Sequence, residues 1–260
     1  MSASKSSRRH TKSERRAVRQ ASAQKRAQQR RMLTLAGIAV AAAVVLVAAL
    51  ILLNREDDST PPQSIAYDDI PTEGRFLGDP EAPVDFVVYS DFQCPFCQQF
   101  DDEDLPLVVE NFVESGDVRV EWRPMPIISG MADIPLDSPE NESMQSSEAA
   151  MCAADQGEFW PYSEALFEAQ GAENSGVYSD EMLKETAAEL GLDTEAFNAC
   201  LDSGEKEAEV LEIREDAIAR GVNGTPTFLI NDQLVSYTAQ GYDRLEDQLN
   251  DALEGNLVET

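Results

Sequence analysis

The sequence predicts an α/β unit split by a helical insertion and preceded by a single membrane-spanning helix. Three observations carry this prediction. Apolar, β-branched and aromatic runs at Val84–Ser90, Val118–Trp122 and Thr225–Asn231 read as strands. Between the second and the third lies a helical pattern of about 75 residues, Ser143 to Arg220. Leu33–Leu53, LTLAGIAVAAAVVLVAALILL, is a run of 21 uncharged, mostly apolar positions.

In chain order, residues 1–32 form a basic tail with SSRRH, SERRAVR and QQRRM. As a helix, residues 33–53 would span about 31 Å, the thickness of a bilayer core. A cleaved signal peptide is the alternative, but the run exceeds the usual apolar length of about 7–15 residues. The positive-inside rule keeps the tail cytoplasmic and the rest extracytoplasmic. Residues 54–69, NREDDSTPPQSIAYDD, are charged, contain Pro-Pro and lack apolar periodicity, so they read as a linker. Residues 70–260 form the exported domain, with its insertion at about 136–220.

Charge narrows the function. Residues 1–53 hold 11 Lys and Arg against Glu14 alone, which leaves 9 basic and 48 acidic residues beyond them, a formal charge of −39. Phosphates would be repelled by that surface, so nucleic acid is not an expected partner.

Within the domain, strand Val84–Ser90 runs directly into DFQCPFCQQF, Asp91–Phe100. Cys94 and Cys97 could be a zinc half-site, a structural disulfide or a catalytic dithiol. A closed zinc site wants four Cys or His ligands, whereas the single histidine, His10, precedes the apolar span and Cys152 and Cys200 stand 48 residues apart. A structural disulfide inside CPFC would close too short a loop to constrain the unfolded chain much. Catalysis fits the spacing: at a helix start, Cys97 falls one turn on from Cys94 on the same face, and the terminal amides favour the Cys94 thiolate. Cys94 is then the attacking thiol, and Cys97, expected to be less exposed, the resolving one.

Pro95 to Val113 has apolar spacing near 3.6 with Pro106 placed to bend it, and strand 118–122 follows, a strand–helix–strand order that suggests a parallel crossover. The segment GVNGTPTFLIN, Gly221–Asn231, ends a helix with glycine and places Thr225-Pro226 just before a strand; taken alone it reads as an ordinary turn. QLVSYT is expected to pair with that strand, and a last amphipathic helix to run from about Tyr242 to Leu253.

SDFQCPFC and GVNGTPTFLIN together, with RVEWRPMP and SSEAAMCAADQGEFWPYSEALFEAQ between them, resemble the DsbA-like thiol oxidoreductases of the thioredoxin superfamily, over nearly all of the exported domain. The resemblance implies a thioredoxin fold with a helical insertion, Cys94 as nucleophile and Cys97 as resolving thiol. It also implies a cis Thr225-Pro226 bond facing them, with Pro95, Phe96, Thr225 and Pro226 supporting the site and receiving an extended substrate strand. Two positions depart from the pattern. Many relatives carry a buried acid six positions before the first cysteine, where this chain has Val88, leaving Asp85 or Asp91 as substitutes. The dipeptide is Pro-Phe, without the histidine of the best-known oxidases.

Cys152 and Cys200 lie in helical patterns, where free thiols would be small buried hydrophobes. Outside the membrane, an even count in an oxidising compartment favours a disulfide that ties the ends of the insertion together. Phe159, Trp160, Tyr162 and Phe167 are expected to form the core of the insertion, DDED at Asp101–Asp104 a solvated helix face, and Asn141-Glu142-Ser143 matches a glycosylation pattern. The function expected is a membrane-tethered disulfide oxidase acting on unfolded exported proteins, with no metal or cofactor, and the resemblance implies reoxidation by a membrane partner of DsbB or VKOR type. A reductase or isomerase on the same fold and a peptide-binding chaperone are the rivals.

Overall fold

The strand Val84–Ser90 (β3) organises the molecule, because six of its seven residues are buried. The computed structural model describes residues 65–235 and 241–256. The expected tail and span, residues 1–53, and the linker up to residue 64 lie outside the described residues. Among those described, no helix is long and apolar enough to cross a membrane.

Six strands form one mixed sheet in the order β1-β2-β4-β3-β5-β6: β1 Thr72–Glu73, β2 Phe76–Leu77, β4 Val118–Pro124, β5 Thr227–Ile230 and β6 Gln233–Val235. Strands β3 and β4 are parallel, with Val84 opposite Val118, while β5 pairs antiparallel with β3 on its other side. Flanked on both edges, β3 buries alternate residues on opposite faces. Phe86 and Val88 join the larger core; Val87 and Tyr89 meet Met125, Ala217, Val222 and Leu229 on the other side. Asn231 and Asp232, both at positive φ (48° and 64°), make the two-residue turn between β5 and β6 that a right-twisted hairpin favours.

The crossover from β3 to β4 is helical from Pro95 to Val113 but not uniformly α. Pro95–Gln99 (α1) gives way to a π-wound stretch Phe100–Asp104, then Leu105–Val108 (α2), then a second π-wound stretch Val109–Val113. Pro106 has no N–H to give and its ring crowds the carbonyl four residues back, so the widened turn takes the place of the kink expected there. The expectation of a solvated acidic face is not met, because four consecutive positions point around most of a helix: Glu103 is exposed, Asp104 is 8% exposed, and Asp101 and Asp102 are half-buried.

After the short helix Ile128–Met131 (α3), the insertion comprises Glu142–Ala154 (α4), Phe159–Glu168 (α5), Asp180–Glu189 (α6), Thr194–Ser203 (α7) and Glu207–Ala219 (α8). Cys152 of α4 and Cys200 of α7 are disulfide-bonded, with Cα atoms 6.0 Å apart. Asn141 is fully buried and caps α4 by accepting from the Met144 N–H, so it presents no glycosylation acceptor. The aromatic residues of α5 do not form a separate core. Phe92 stacks on Trp122 (4.9 Å between centroids) and meets Phe167 (4.9 Å), and Trp122 meets Phe159 (5.2 Å), so insertion and sheet share one continuous core. The final helix, Tyr242–Leu253 (α9), buries Leu245, Leu249 and Ala252 at helical spacing.

Candidate active site

Cys94 is the N-cap of α1. Its backbone is extended (φ −80°, ψ 118°), and Pro95, with no N–H to lose, occupies the first turn. The two cysteines are free thiols, Cys97 buried at 1% exposure and Cys94 only narrowly more open at 3%. Exposure therefore separates them little; their electrostatics separate them strongly.

The Cys94 thiol is pulled down to about 6. The Cys97 thiol, donating to it, is the main cause, and the Thr225 hydroxyl and the N–H groups of Phe96 and Cys97 add to it, together outweighing burial. The helix-terminal amides thus contribute, though less than the neighbouring thiol. Cys97 moves the opposite way: burial pushes its thiol well up, Cys94 adds to the rise, and the Ser90 hydroxyl and Asp91 N–H only partly oppose it.

Thr225 reaches the pair from 131 positions away. Its peptide bond to Pro226 is cis, and its carbonyl accepts from Cys94 Sγ at 3.3 Å. The Thr225 hydroxyl is buried with no hydrogen-bond partner among the described residues, so it is free to turn toward the sulfur when Cys94 ionises. Pro95 and Phe96 cap the site on the outside, Phe96 being 66% exposed.

The acids left open by Val88 divide clearly. Asp85 is exposed and its N–H donates to Asn231 Oδ1. Asp91 is fully buried, and its carboxylate accepts from the N–H groups of Gln93 (2.9 Å), Ile127 (2.8 Å) and Ile128 (2.9 Å). Burial raises it and those donors lower it, with burial prevailing. Asp91 is thus a clamp joining the cysteine loop to the segment after β4.

Sequence reasoning missed the rest of that clamp. Gln93 Nε2 donates to Ser129 Oγ (2.6 Å) and Ser143 Oγ (2.8 Å), and its Oε1 accepts from the Asn174 N–H (2.6 Å). Gln170 Nε2 donates to the carbonyls of Phe92 (2.5 Å) and Cys94 (3.2 Å), and the Tyr178 hydroxyl to that of Phe92 (2.8 Å). Nothing local in the sequence marks these residues, since their partners lie 36 to 86 positions away. Among the described residues, no group of three or more His, Cys, Asp or Glu is placed to hold a metal ion.

A helix-capping thiol at about 6, a buried partner thiol one turn on, and a cis proline loop against them form a thiol–disulfide exchange site in chemical terms. A family model described as Thioredoxin matches residues 71–251. The chain belongs to the thioredoxin family.

Within it, the chain has the DsbA-like architecture, a thioredoxin fold carrying a helical insertion. The crystal structure of oxidised BdbD from Bacillus subtilis superposes with a TM-score of 0.60 at 22% identity, covering 70% of this chain and 94% of that one. By sequence, the chain is similar to disulfide bond formation protein D of Bacillus subtilis, 23% identical over 183 residues, 69% of this chain and 77% of that protein. It is also 32% identical over 165 residues, 62% of its length, to a protein of Salinispora tropica named Na(+)/H(+) antiporter NhaA 3. That match spans only 22% of the antiporter.

Proposed function

We propose that this chain is an extracytoplasmic thiol:disulfide oxidoreductase that introduces disulfides into exported proteins through Cys94 and Cys97. The observation that carries the reading is the opposed electrostatics of the two thiols. At about 6, Cys94 is mostly thiolate at neutral pH, and thus a good leaving group as well as a nucleophile. The likeness to disulfide bond formation protein D supports the same reading.

In the oxidising direction, a substrate thiolate attacks Cys94 Sγ of the Cys94–Cys97 disulfide. The sulfur–sulfur bond breaks, Cys97 leaves with the electron pair, and a mixed disulfide forms at Cys94. A second substrate thiolate attacks the substrate sulfur of that bond, Cys94 leaves as its stabilised thiolate, and the substrate disulfide is complete. The two substrate thiolates give two electrons to the cysteine pair, which ends with Cys94 as thiolate and Cys97 as the group that takes up a proton. An extended substrate would lie along the Thr225–Pro226 loop beside exposed Phe96.

The remaining parts of the reading come from the sequence. Residues 33–53 anchor the protein, the basic tail stays cytoplasmic, and a membrane protein of DsbB or VKOR type returns Cys94 and Cys97 to the disulfide. The test is refolding of a reduced, disulfide-dependent substrate by the full chain in detergent. Cys94→Ser should abolish activity and Cys97→Ser should accumulate substrate as a mixed disulfide. Equal activity of Cys94→Ser and the unaltered chain would defeat the proposal, and net reduction of substrates at the redox poise of the envelope would replace it with the reductase reading.

A further inference from the structure

Behind the cysteine pair lies a cavity of about 10 Å³, lined among others by Val88, Ser90, Cys97, Asp101, Trp122 and Trp160. That volume is at the lower bound for one water molecule and the wall is almost wholly apolar, so it is a small enclosed gap that Cys97, Ser90 and Asp101 border together. Among the described residues, Asp101 is the only carboxyl in the lining. It also lines a second cleft, of about 30 Å³, with Tyr67, Asp102, Glu164 and Glu168. Asp101 therefore borders both the gap behind the buried thiol and a cleft rich in carboxyls.

We infer that Asp101 gives Cys97 its proton when the disulfide opens and takes it back when the disulfide closes. This rests on the exchange reading of Cys94 and Cys97. Cys97 must change protonation state in each turnover, yet it is 1% exposed. Burial, the nearby Cys94 charge and the hydrogen bond to Cys94 all disfavour its thiolate, so the departing sulfur needs a proton at once and from close by. Ser90 can relay a proton but cannot store one.

Asp101 is suited to store it. Burial holds its carboxyl well above the usual carboxylate range, with Asp102 and Glu164 pushing the same way, so it keeps its proton to a higher pH than an exposed aspartate does. The groups facing it are Asp102 from its own helical stretch, Glu164 and Glu168 from α5, Tyr67 from the turn Tyr67–Asp69, and Cys97 across the cavity. None is basic. The widened helical turn at Phe100–Asp104 carries the carboxyl to this position, four residues past Cys97.

In the step itself, the substrate thiolate bonds to Cys94 Sγ, the Cys94–Cys97 bond breaks, and its electron pair stays on Cys97 Sγ. The Asp101 proton passes to that sulfur, directly or relayed by the Ser90 hydroxyl, and the carboxylate regains a proton from solvent through the acidic cleft. Reoxidation runs the transfer backwards.

The test follows reduction of the disulfide in the full chain by a small dithiol, read by the fluorescence of Trp122 and Trp160, which border the cavity. Asp101→Asn should slow reduction at pH 7 by about tenfold or more, within the range of a positioned proton donor. It should also remove one inflection from the pH profile, and Asp101→Glu should restore most of the rate. In a Cys94→Ala background, Asp101→Asn should lower the titration midpoint of Cys97, a readout that a purely structural role for Asp101 would leave in place. If the variants do not fold, the carbon-13 carboxyl resonance of Asp101 in the unaltered chain should titrate differently in the oxidised and reduced states. An unchanged rate and profile in Asp101→Asn, or an Asp101 titration identical in both states, overturns the inference while leaving the exchange reading intact. Exchange by Cys94→Ser at the unaltered rate removes both.

Discussion

The carbonyl oxygen of Thr225 lies 3.3 Å from Cys94 Sγ, joining two segments 131 residues apart in one site. With the Thr225 hydroxyl buried beside it, the loop before β5 contributes to the Cys94 thiolate as well as facing it.

Thr225→Val removes that hydroxyl and keeps the backbone. The alkylation midpoint of Cys94, near 6 in the unaltered protein, should rise by about one unit, the equivalent of a charge-assisted hydrogen bond of roughly 1.5 kcal/mol. An unchanged midpoint would show that the hydroxyl does not reach the sulfur.

The depressed Cys94 thiol makes reduced-state stability depend on pH. A group whose folded value lies below its unfolded one contributes stability that is present at pH above the unfolded value and lost as pH falls through the folded value. The reduced protein should therefore gain stability over Cys94→Ser between about pH 6 and pH 9. Parallel stability curves for the two proteins across that window would contradict the assignment.

Asp101 carries the opposite sign. Its raised carboxyl costs stability as pH climbs above the ordinary aspartate value and toward its own. Asp101→Asn, neutral at every pH, should melt higher than the unaltered protein at pH 7 and converge with it in acid. A lower midpoint at pH 7 would mean that the side chain is held by interactions the amide cannot reproduce.

Asp91→Ala leaves three backbone N–H groups, those of buried Gln93 and Ile128 and half-buried Ile127, without their acceptor. At about 1 kcal/mol or more for each orphaned donor, the loss should reach roughly 3 kcal/mol in denaturant unfolding. A loss within experimental error would mean that other acceptors take the three donors.

Replacing Cys152 and Cys200 together by alanine removes a bond that spans 48 residues. The chain-entropy estimate for a loop of that size is about 4 kcal/mol of stability. Exchange rates at Cys94 should be unaffected, and a parallel loss of exchange would place the bond in the catalytic cycle.

Local chemistry carried much of this architecture in the sequence. The β-branched run of Val84–Ser90, the proline-led helix start at Cys94-Pro95 and the apolar stripe of Tyr242–Leu253 each follow from interactions within a few residues, which is why their periodicity or composition reveals them. CPFC is legible for the same reason: one helical turn is enough to bring its two sulfurs together. Tertiary structure alone decided what depends on partners distant in the chain. Gln93, Gln170 and Tyr178 look like ordinary polar residues until α3, α4 and the segment after α5 are packed against the cysteine loop. The acidic run Asp101–Asp104 looks solvated until its helix is packed in place, which buries Asp104 and half-buries Asp101 and Asp102. Charge in a sequence gives no sign of burial, because burial depends on which surfaces meet and how the helix between them is wound.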